Sequence, residues 1–302
     1  MDPKELRKRL SSGVIAFPVT PFKPDLSLDL EGVRKNLRLL LSHPLSAIVA
    51  PAGTGEVFAL SPSEHMQVLQ TTLDETGGKV PVLTALPANT AIASDIAAQS
   101  IKAGVNGFLL FPPYYPHADE AGLVDYYASI AKKTSLGVIV YSRDWVNPSA
   151  STVEKLADQA PNLIAWKDGT GDLRKYQQIM QRLGDRLAWI GGVGDDQVPG
   201  YFSIGVRTYT SSIAVVSPKL SLELYERAAG NDYATLRKLM NEFVIPLYAF
   251  RQRKRGYEVS VMKEMMMQIG LAGGPVRPPL LNLTQDEVRE VTAMVKQWKD
   301  WL

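Results

Sequence analysis

The stretch Leu163-Ile164-Ala165-Trp166-Lys167-Asp168-Gly169-Thr170-Gly171-Asp172 sets a lysine where an apolar run meets a glycine-rich turn. A strand ending there would hold the amine partly out of water. That disfavours its charged form and leaves a nucleophile able to form a Schiff base with a carbonyl. The same segment also suits an ordinary strand-end lysine that extends its ammonium to solvent. What else the fold brings to that strand end decides between the two.

Other chemistries find less support. His43, His65 and His117 are scattered, with no pair at ligand spacing, so no metal site is expected. There is no Gly-x-Ser-x-Gly elbow for a serine nucleophile, and the chain has no cysteine to act as nucleophile or thiolate ligand. Gly191-Gly192-Val193-Gly194 has the glycines of a phosphate cradle, but Asp195 and Asp196 directly behind them repel phosphate. The run Arg251-Gln252-Arg253-Lys254-Arg255 reads as a solvated helix end that complements the macrodipole, and Met265-Met266-Met267 as packing between helices.

Positioning Lys167 requires elements on either side of it. Apolar runs at Gly13–Thr20, Ala47–Ala50, Val80–Ala85, Gly107–Phe111, Gly137–Tyr141, Leu163–Lys167, Leu187–Ile190 and Val206–Thr210 read as strands. Between and after them, segments with helical spacing start at Leu28, Ser61, Ile92, Glu120, Ser151, Asp172, Gln197 and Ser217. Ser61-Pro62-Ser63-Glu64 is a capping box with proline at the first helical position. Eight strand-helix units in roughly 230 residues match an α/β fold of the (β/α)8 TIM-barrel kind. An open doubly wound sheet would carry a glycine-rich loop after its first strand, where this chain has Pro21-Phe22-Lys23-Pro24. We therefore expect a barrel over residues 1–230 and a helical appendage over 231–302, with helices at 233–255, 260–269 and 284–301.

The 302 residues, 45% hydrophobic and 21% charged, suffice for one large core. A net charge of +2, without a clustered basic face, predicts no nucleic-acid partner. No apolar run approaches a membrane span and the N-terminus lacks a signal-peptide core, so a cytoplasmic protein is expected.

In such a barrel the reactive groups gather where the strands end. The candidates there are Gly53-Thr54-Gly55-Glu56, Tyr114 and Tyr115, Tyr141 and Arg143, Lys167, Asp195 and Asp196, and Ser211 and Ser212. Amine catalysis makes them self-consistent: Lys167 as nucleophile, Tyr141 on the neighbouring strand as proton carrier, and Thr54 with adjacent backbone amides as a carboxylate cradle. Glu56 fits better as an organiser of its own loop than as a reactant.

Ala50-Pro51-Ala52-Gly53-Thr54-Gly55-Glu56, Tyr141 and Trp166-Lys167-Asp168 resemble the dihydrodipicolinate synthase/N-acetylneuraminate lyase family of Schiff-base class I aldolases and dehydratases, and the resemblance covers nearly the whole chain. Further segments are most similar to the branch of that family that dehydrates 5-dehydro-4-deoxyglucarate. They are Tyr141-x-Arg143-Asp144, Lys167-Asp168-Gly169-x-Gly171-Asp172, Thr208-Tyr209-x-Ser211-Ser212 and Gly274-Pro275-Val276-Arg277-Pro278-Pro279-Leu280. Synthase and lyase members have threonine or serine where this chain has Gly53, which argues against their proton relay. Ser142, Trp145 and Val193-Gly194-Asp195-Asp196 depart from the dehydratase pattern.

The resemblance implies a Schiff-base lyase acting on a sugar diacid, with dehydration and decarboxylation to 2,5-dioxopentanoate. No cofactor is implied beyond the covalent adduct on Lys167. Tyr141 and Thr54 would complete the catalytic set. Gly53, Thr54 and Gly192 would meet the carboxylate end, Arg143 the distal carboxylate, and Ser211 and Ser212 the hydroxyls. A homotetramer is implied, in which Tyr115 reaches a neighbour's site. The alternatives are a class I 2-oxo acid aldolase or related dehydratase, and a binding protein without activity.

Overall fold

Eight parallel strands close into a barrel in chain order, in a computed structural model that describes residues 1–302 apart from Asp144. The last residue of the Tyr141-x-Arg143-Asp144 motif thus lies outside the described residues. The strands are β1 (Gly13–Ala16), β2 (Ala47–Val49), β3 (Val82–Leu86), β4 (Gly107–Leu110), β5 (Gly137–Ser142), β6 (Leu163–Asp168), β7 (Ala188–Gly191) and β8 (Thr208–Ser211). A short helix α1 (Pro3–Arg9) precedes them, and each strand is followed by a helix: α2 (Leu30–Leu41), α3 (Pro62–Thr76), α4 (Thr90–Ala103), α5 (Glu120–Ala131), α6 (Ala150–Gln159), α7 (Leu173–Leu183), α8 (Val198–Ser203) and α9 (Pro218–Ala229). The expected (β/α)8 barrel is the fold. Strand β1 stops at Ala16, short of the expected Thr20, because Pro18 and Pro21 cannot donate to a ladder.

Local chemistry starts the helices where the sequence says. Ser61 and Glu64 form a reciprocal capping box at α3, and the Asp29 and Asp172 carboxylates accept from Gly32 N and Lys175 N to open α2 and α7. The strands have two faces. One, with Val138, Val140 and Trp166, packs outward against the helices, while Ile15, Val49, Leu83, Leu109, Ile139, Ala165 and Ile190 fill the lumen. Leu6, midway along α1, and Leu10, just beyond its end, join the lumen residues in one apolar cluster.

One irregularity decides where Lys167 points. Val138 pairs with Leu163 but Ile139 pairs with Ala165, so Ile164 is an extra residue in β6. Strict alternation from the outward Leu163 would turn Lys167 outward. The bulge puts Ile164 and Ala165 both in the lumen, so alternation resumes with Trp166 outward and Lys167 inward. Gly137 makes the space, since a Cβ there would lie 2.5 Å from Ile164 Cδ1.

Beyond the barrel, α10 (Tyr233–Leu239) runs through a π-helical stretch, Met240–Val244, into α11 (Ile245–Arg251), followed by α12 (Tyr257–Gln268) and α13 (Gln285–Gln297). The helix expected over 233–255 therefore ends at Arg251. These helices share the outer core with the barrel through Leu236, Leu247, Met262, Met265 and Trp298. Met265 and Met266 are buried, but Met267 is 42% exposed, so the methionine run packs through two of its three residues. No described helix is long and apolar enough to cross a membrane.

The strongest tie between appendage and barrel is Lys263 Nζ, 2.5 Å from Glu56 Oε1, with both side chains out of solvent. Glu56 Oε2 also accepts from Arg277 N at 2.8 Å. A buried pair is costly to break from one side because the remaining charge is left uncompensated. We expect Lys263→Met to lower the unfolding free energy by about 3–5 kcal/mol in urea denaturation, with part of that loss recovered in the Glu56→Gln/Lys263→Met double variant. Additive losses in the double variant would contradict the pairing.

Candidate active site

Lys167 ends up inside the barrel mouth, 4% exposed, beside its β5 register partner Tyr141. Its Nζ donates to Gly192 O at 3.0 Å and lies 3.2 Å from the centroid of the Tyr141 ring. The Tyr141 hydroxyl donates to the same carbonyl at 3.3 Å. Amine and phenol therefore converge on one backbone oxygen, which holds both groups at the same side of the cavity where a bound substrate would meet them. Glycine is required on both sides. A Cβ on Gly192 would lie 2.5 Å from Lys167 Cγ and 2.8 Å from its Nζ, and one on Gly169 would overlap the Tyr141 ring.

Burial holds the Lys167 amine well below the ordinary lysine range, and the nearby Arg143 cation lowers it further, against a smaller opposing effect of Asp168. Asp168 is occupied elsewhere. It accepts from Thr170 N and Oγ1 at 3.0 and 2.7 Å, from Gly171 N at 3.1 Å and from Tyr201 OH at 2.7 Å. It shapes the turn after β6 and offers the amine no direct ion pair.

Lys167, Tyr141, Gly53, Thr54, Arg143, Gly192, Ser211 and Ser212 all line one cavity of about 650 Å³, a size suited to a small ligand. Gly53 and Thr54 reach it on the loop after β2, whose turn closes through Glu56 N to Gly53 O at 3.0 Å. Glu56 itself is fully buried in a left-handed conformation, φ 53°, and anchors the loop from behind. A Cβ on Gly53 would meet only the Phe111 ring at 3.6 Å, so packing does not forbid a side chain there. The Arg143 guanidinium lies 5.5 Å from the Tyr141 ring centroid.

Two sequence expectations change, those for Ser211 and Arg251. Ser211 is 1% exposed and its hydroxyl is engaged by protein, donating to Asp195 Oδ1 at 2.5 Å and lying in hydrogen-bond contact with Ser221 Oγ at 2.6 Å. Ser211 thus holds Asp195, and Ser212, just past β8, lines the cavity with its hydroxyl accepting from Arg251 Nη1 at 2.8 Å. Tyr115 is 73% exposed and lies outside this chain's own cavity wall, which Tyr114 lines. Arg251 faces the cavity, not solvent, because it follows the buried Leu247 and Tyr248 at helical spacings of four and three. That spacing was the available signal for Arg251, masked by the basic run it begins. Phe58, Phe111, Trp145 and Glu258 also line the mouth without having been anticipated. Among the described residues, no group of three or more His, Cys, Asp or Glu side chains is placed to hold a metal.

A model of the dihydrodipicolinate synthetase family matches residues 10–298. The chain belongs to that family. Similar members include a probable 5-dehydro-4-deoxyglucarate dehydratase from Bradyrhizobium diazoefficiens, 40% identical over 299 residues, 98% of this chain and 95% of the relative. Another of the same description, from Ralstonia nicotianae, is 40% identical over 300 residues, covering 99% and 96%. Among solved structures, dihydrodipicolinate synthase from Oceanobacillus iheyensis superposes with a TM-score of 0.92 at 25% identity, over 99% of this chain and 100% of that one. A Ruminococcus gnavus sialic acid aldolase, crystallised as a catalytic lysine mutant, shares the fold with a TM-score of 0.88 at 20% identity and full coverage of both chains. Family membership places the chain among enzymes of the lyase class.

The lowered amine has two pH consequences. Between the lowered value and the ordinary one, 10.5, the unfolded chain binds a proton that the folded chain does not. Burial of Lys167 thus costs stability progressively as pH falls from the upper value toward the lower, and Lys167→Met should stabilise the fold near neutrality. Nucleophilicity runs the other way with pH. Trapping of a small 2-oxo acid on Lys167 by borohydride should rise with pH to a plateau whose midpoint lies below 10.5. Arg143→Gln should move that midpoint up; a midpoint at the ordinary lysine value in the unaltered enzyme would contradict the burial argument.

Proposed function

We propose that this protein is a Schiff-base lyase that dehydrates and decarboxylates 5-dehydro-4-deoxy-D-glucarate to 2,5-dioxopentanoate, carbon dioxide and water. The observation that carries the reading is the buried Lys167 amine meeting the Tyr141 hydroxyl at Gly192 O, in the cavity that Gly53 and Thr54 also line. Support for this substrate comes from relatives described as probable dehydratases of that compound, at 40% identity over nearly the full length.

Lys167 Nζ attacks the ketone carbon and the oxygen leaves as water, giving an iminium. The iminium acidifies the adjacent methylene, and loss of one of its protons gives an enamine. Its electron pair expels the hydroxyl on the next carbon as a second water, with a proton delivered by Tyr141. The product is a conjugated iminium. The far carboxylate then leaves as carbon dioxide, its bonding electrons flowing through the new double bond into the iminium. Reprotonation and hydrolysis release 2,5-dioxopentanoate and the free amine. The hydrolysis consumes the water lost in iminium formation, so one water is released overall.

Gly53 and Thr54 hold the carboxylate beside the ketone through backbone amides and a hydroxyl, which adds no second cation next to the nucleophile. Arg143 pairs with the distal carboxylate, and Ser212 meets a substrate hydroxyl. The lysine is the electron sink, so the reaction needs no further cofactor. The space beside Gly53 favours this reading over carbon-carbon bond formation, since a relay hydroxyl would fit there and the chain does without one. The active form we propose is a cytoplasmic homotetramer, with Tyr115 projecting toward a neighbour.

Borohydride added with substrate should leave a covalent adduct mapping to Lys167, and turnover should release one carbon dioxide per 2,5-dioxopentanoate. Lys167→Ala should lose activity by a factor of at least about 10³. Substantial turnover in that variant, or pyruvate and a three-carbon aldehyde as products, would remove the proposal.

A further inference from the structure

The barrel alone does not enclose the cavity. Arg251, Glu258, Val259 and Leu280 of the C-terminal segment complete its wall, together with the exposed Phe58 and Tyr114. Arg251 is the cation among them. Its Nη1 donates to Ser212 Oγ at 2.8 Å, and its guanidinium lies 4.3 Å from the centroid of the Tyr248 ring. Tyr248 is itself fixed, its hydroxyl accepting from Asp195 N at 2.7 Å and donating to Asp195 Oδ2 at 3.1 Å. The guanidinium is therefore held by a hydroxyl and an anchored aromatic face.

Its charge is not spent on protein in the way of its neighbours. Arg253, two residues on, pairs with Glu290 at 2.8 Å. Among the described residues Arg251 Nε is buried with no hydrogen-bond partner, and the side-chain hydrogen bond of this guanidinium goes to the neutral Ser212. Asp195 and Asp196 are close enough to feel this cation. Asp195, however, is taken up by Ser211 Oγ at 2.5 Å, Ser212 N at 3.1 Å and Ile213 N at 3.3 Å, and Asp196 Oδ1 is likewise buried without a partner. A buried donor left unmade costs free energy that an anionic ligand would recover. A rigid guanidinium with unspent donors in a ligand cavity is a carboxylate receptor.

We infer that Arg251 is a specificity-determining residue that takes the carboxylate at the substrate end far from the ketone, alongside Arg143. The inference rests on the reading of the site as that of a diacid lyase. It makes the C-terminal helices, as well as the barrel rim, part of what selects a diacid over a monoacid.

The test compares the unaltered enzyme with Arg251→Met and Arg251→Lys on two compounds: the diacid, and the monoacid carrying a hydroxymethyl group in place of the far carboxylate. Borohydride trapping gives a half-saturating concentration for each, and turnover gives KM and kcat for the diacid. Arg251→Met should raise the half-saturating concentration of the diacid by roughly 10- to 100-fold and that of the monoacid by less than about 3-fold, with kcat changing less than KM. Arg251→Lys should recover part of the loss. Equal losses on both compounds would mean a structural role and overturn the inference, as would unchanged discrimination. No adduct in the unaltered enzyme would instead remove the lyase reading, and this assignment with it.

Discussion

A lysine amine held inside an apolar barrel is the constraint on which the rest of this structure depends. Lys167 is 4% exposed, next to lumen residues such as Ala165 and Ile190, and desolvation is the largest influence on its protonation. An ammonium in that place would be expensive, so the site is built for the neutral form. Among the described residues its strong polar contact is a backbone carbonyl, its carboxylate neighbour Asp168 is occupied by the following turn, and a guanidinium stands nearby to disfavour protonation further. Glycines at 169 and 192 are what allow the side chain and the Tyr141 ring to lie so close.

Holding such a group in register requires stiffness around it, and much of that comes from outside the barrel. The loop carrying Gly53 and Thr54 is pinned by Glu56, whose carboxylate is clamped between Lys263 Nζ and Arg277 N. Arg277 in turn reaches Glu64 in the first turn of α3, holding that carboxyl at about 2. On the opposite side of the sequence, Tyr248 of α11 locks Asp195, and Asp195 orders the Ser211–Ile213 turn that presents Ser212. The C-terminal helices thus serve as a second shell of fixed dipoles and charges, and stability and site geometry are coupled through them.

Charge in the cavity follows the same logic. Two guanidinium groups, Arg143 and Arg251, line it beside the Lys167 amine, and among the described residues the only acidic lining residue is Glu258. The two aspartates after β7, which in the bare sequence argue against an anion, are turned behind the wall and held by burial above the usual carboxylate range. They support a guanidinium there and leave the cavity favourable to anions.

Much of this was legible in the sequence, because it depends on local patterns. Strand and helix alternation follows from apolar periodicity and caps, and eight such units admit few closed arrangements, so the barrel and the placement of Lys167, Tyr141 and Thr54 at one rim could be read directly. What the tertiary structure alone decided involves residues far apart in the chain or a break in periodicity. The extra residue at Ile164 reverses the parity that would have aimed Lys167 outward, and alternation alone does not reveal a bulge. Arg251 looked like the start of a solvated run, and Ser211 like a substrate contact. Packing of α11 on the barrel turned the first inward, and a buried aspartate claimed the second. Local sequence sets which face of an element is apolar; only the assembled core determines which charged groups are trapped at its edge.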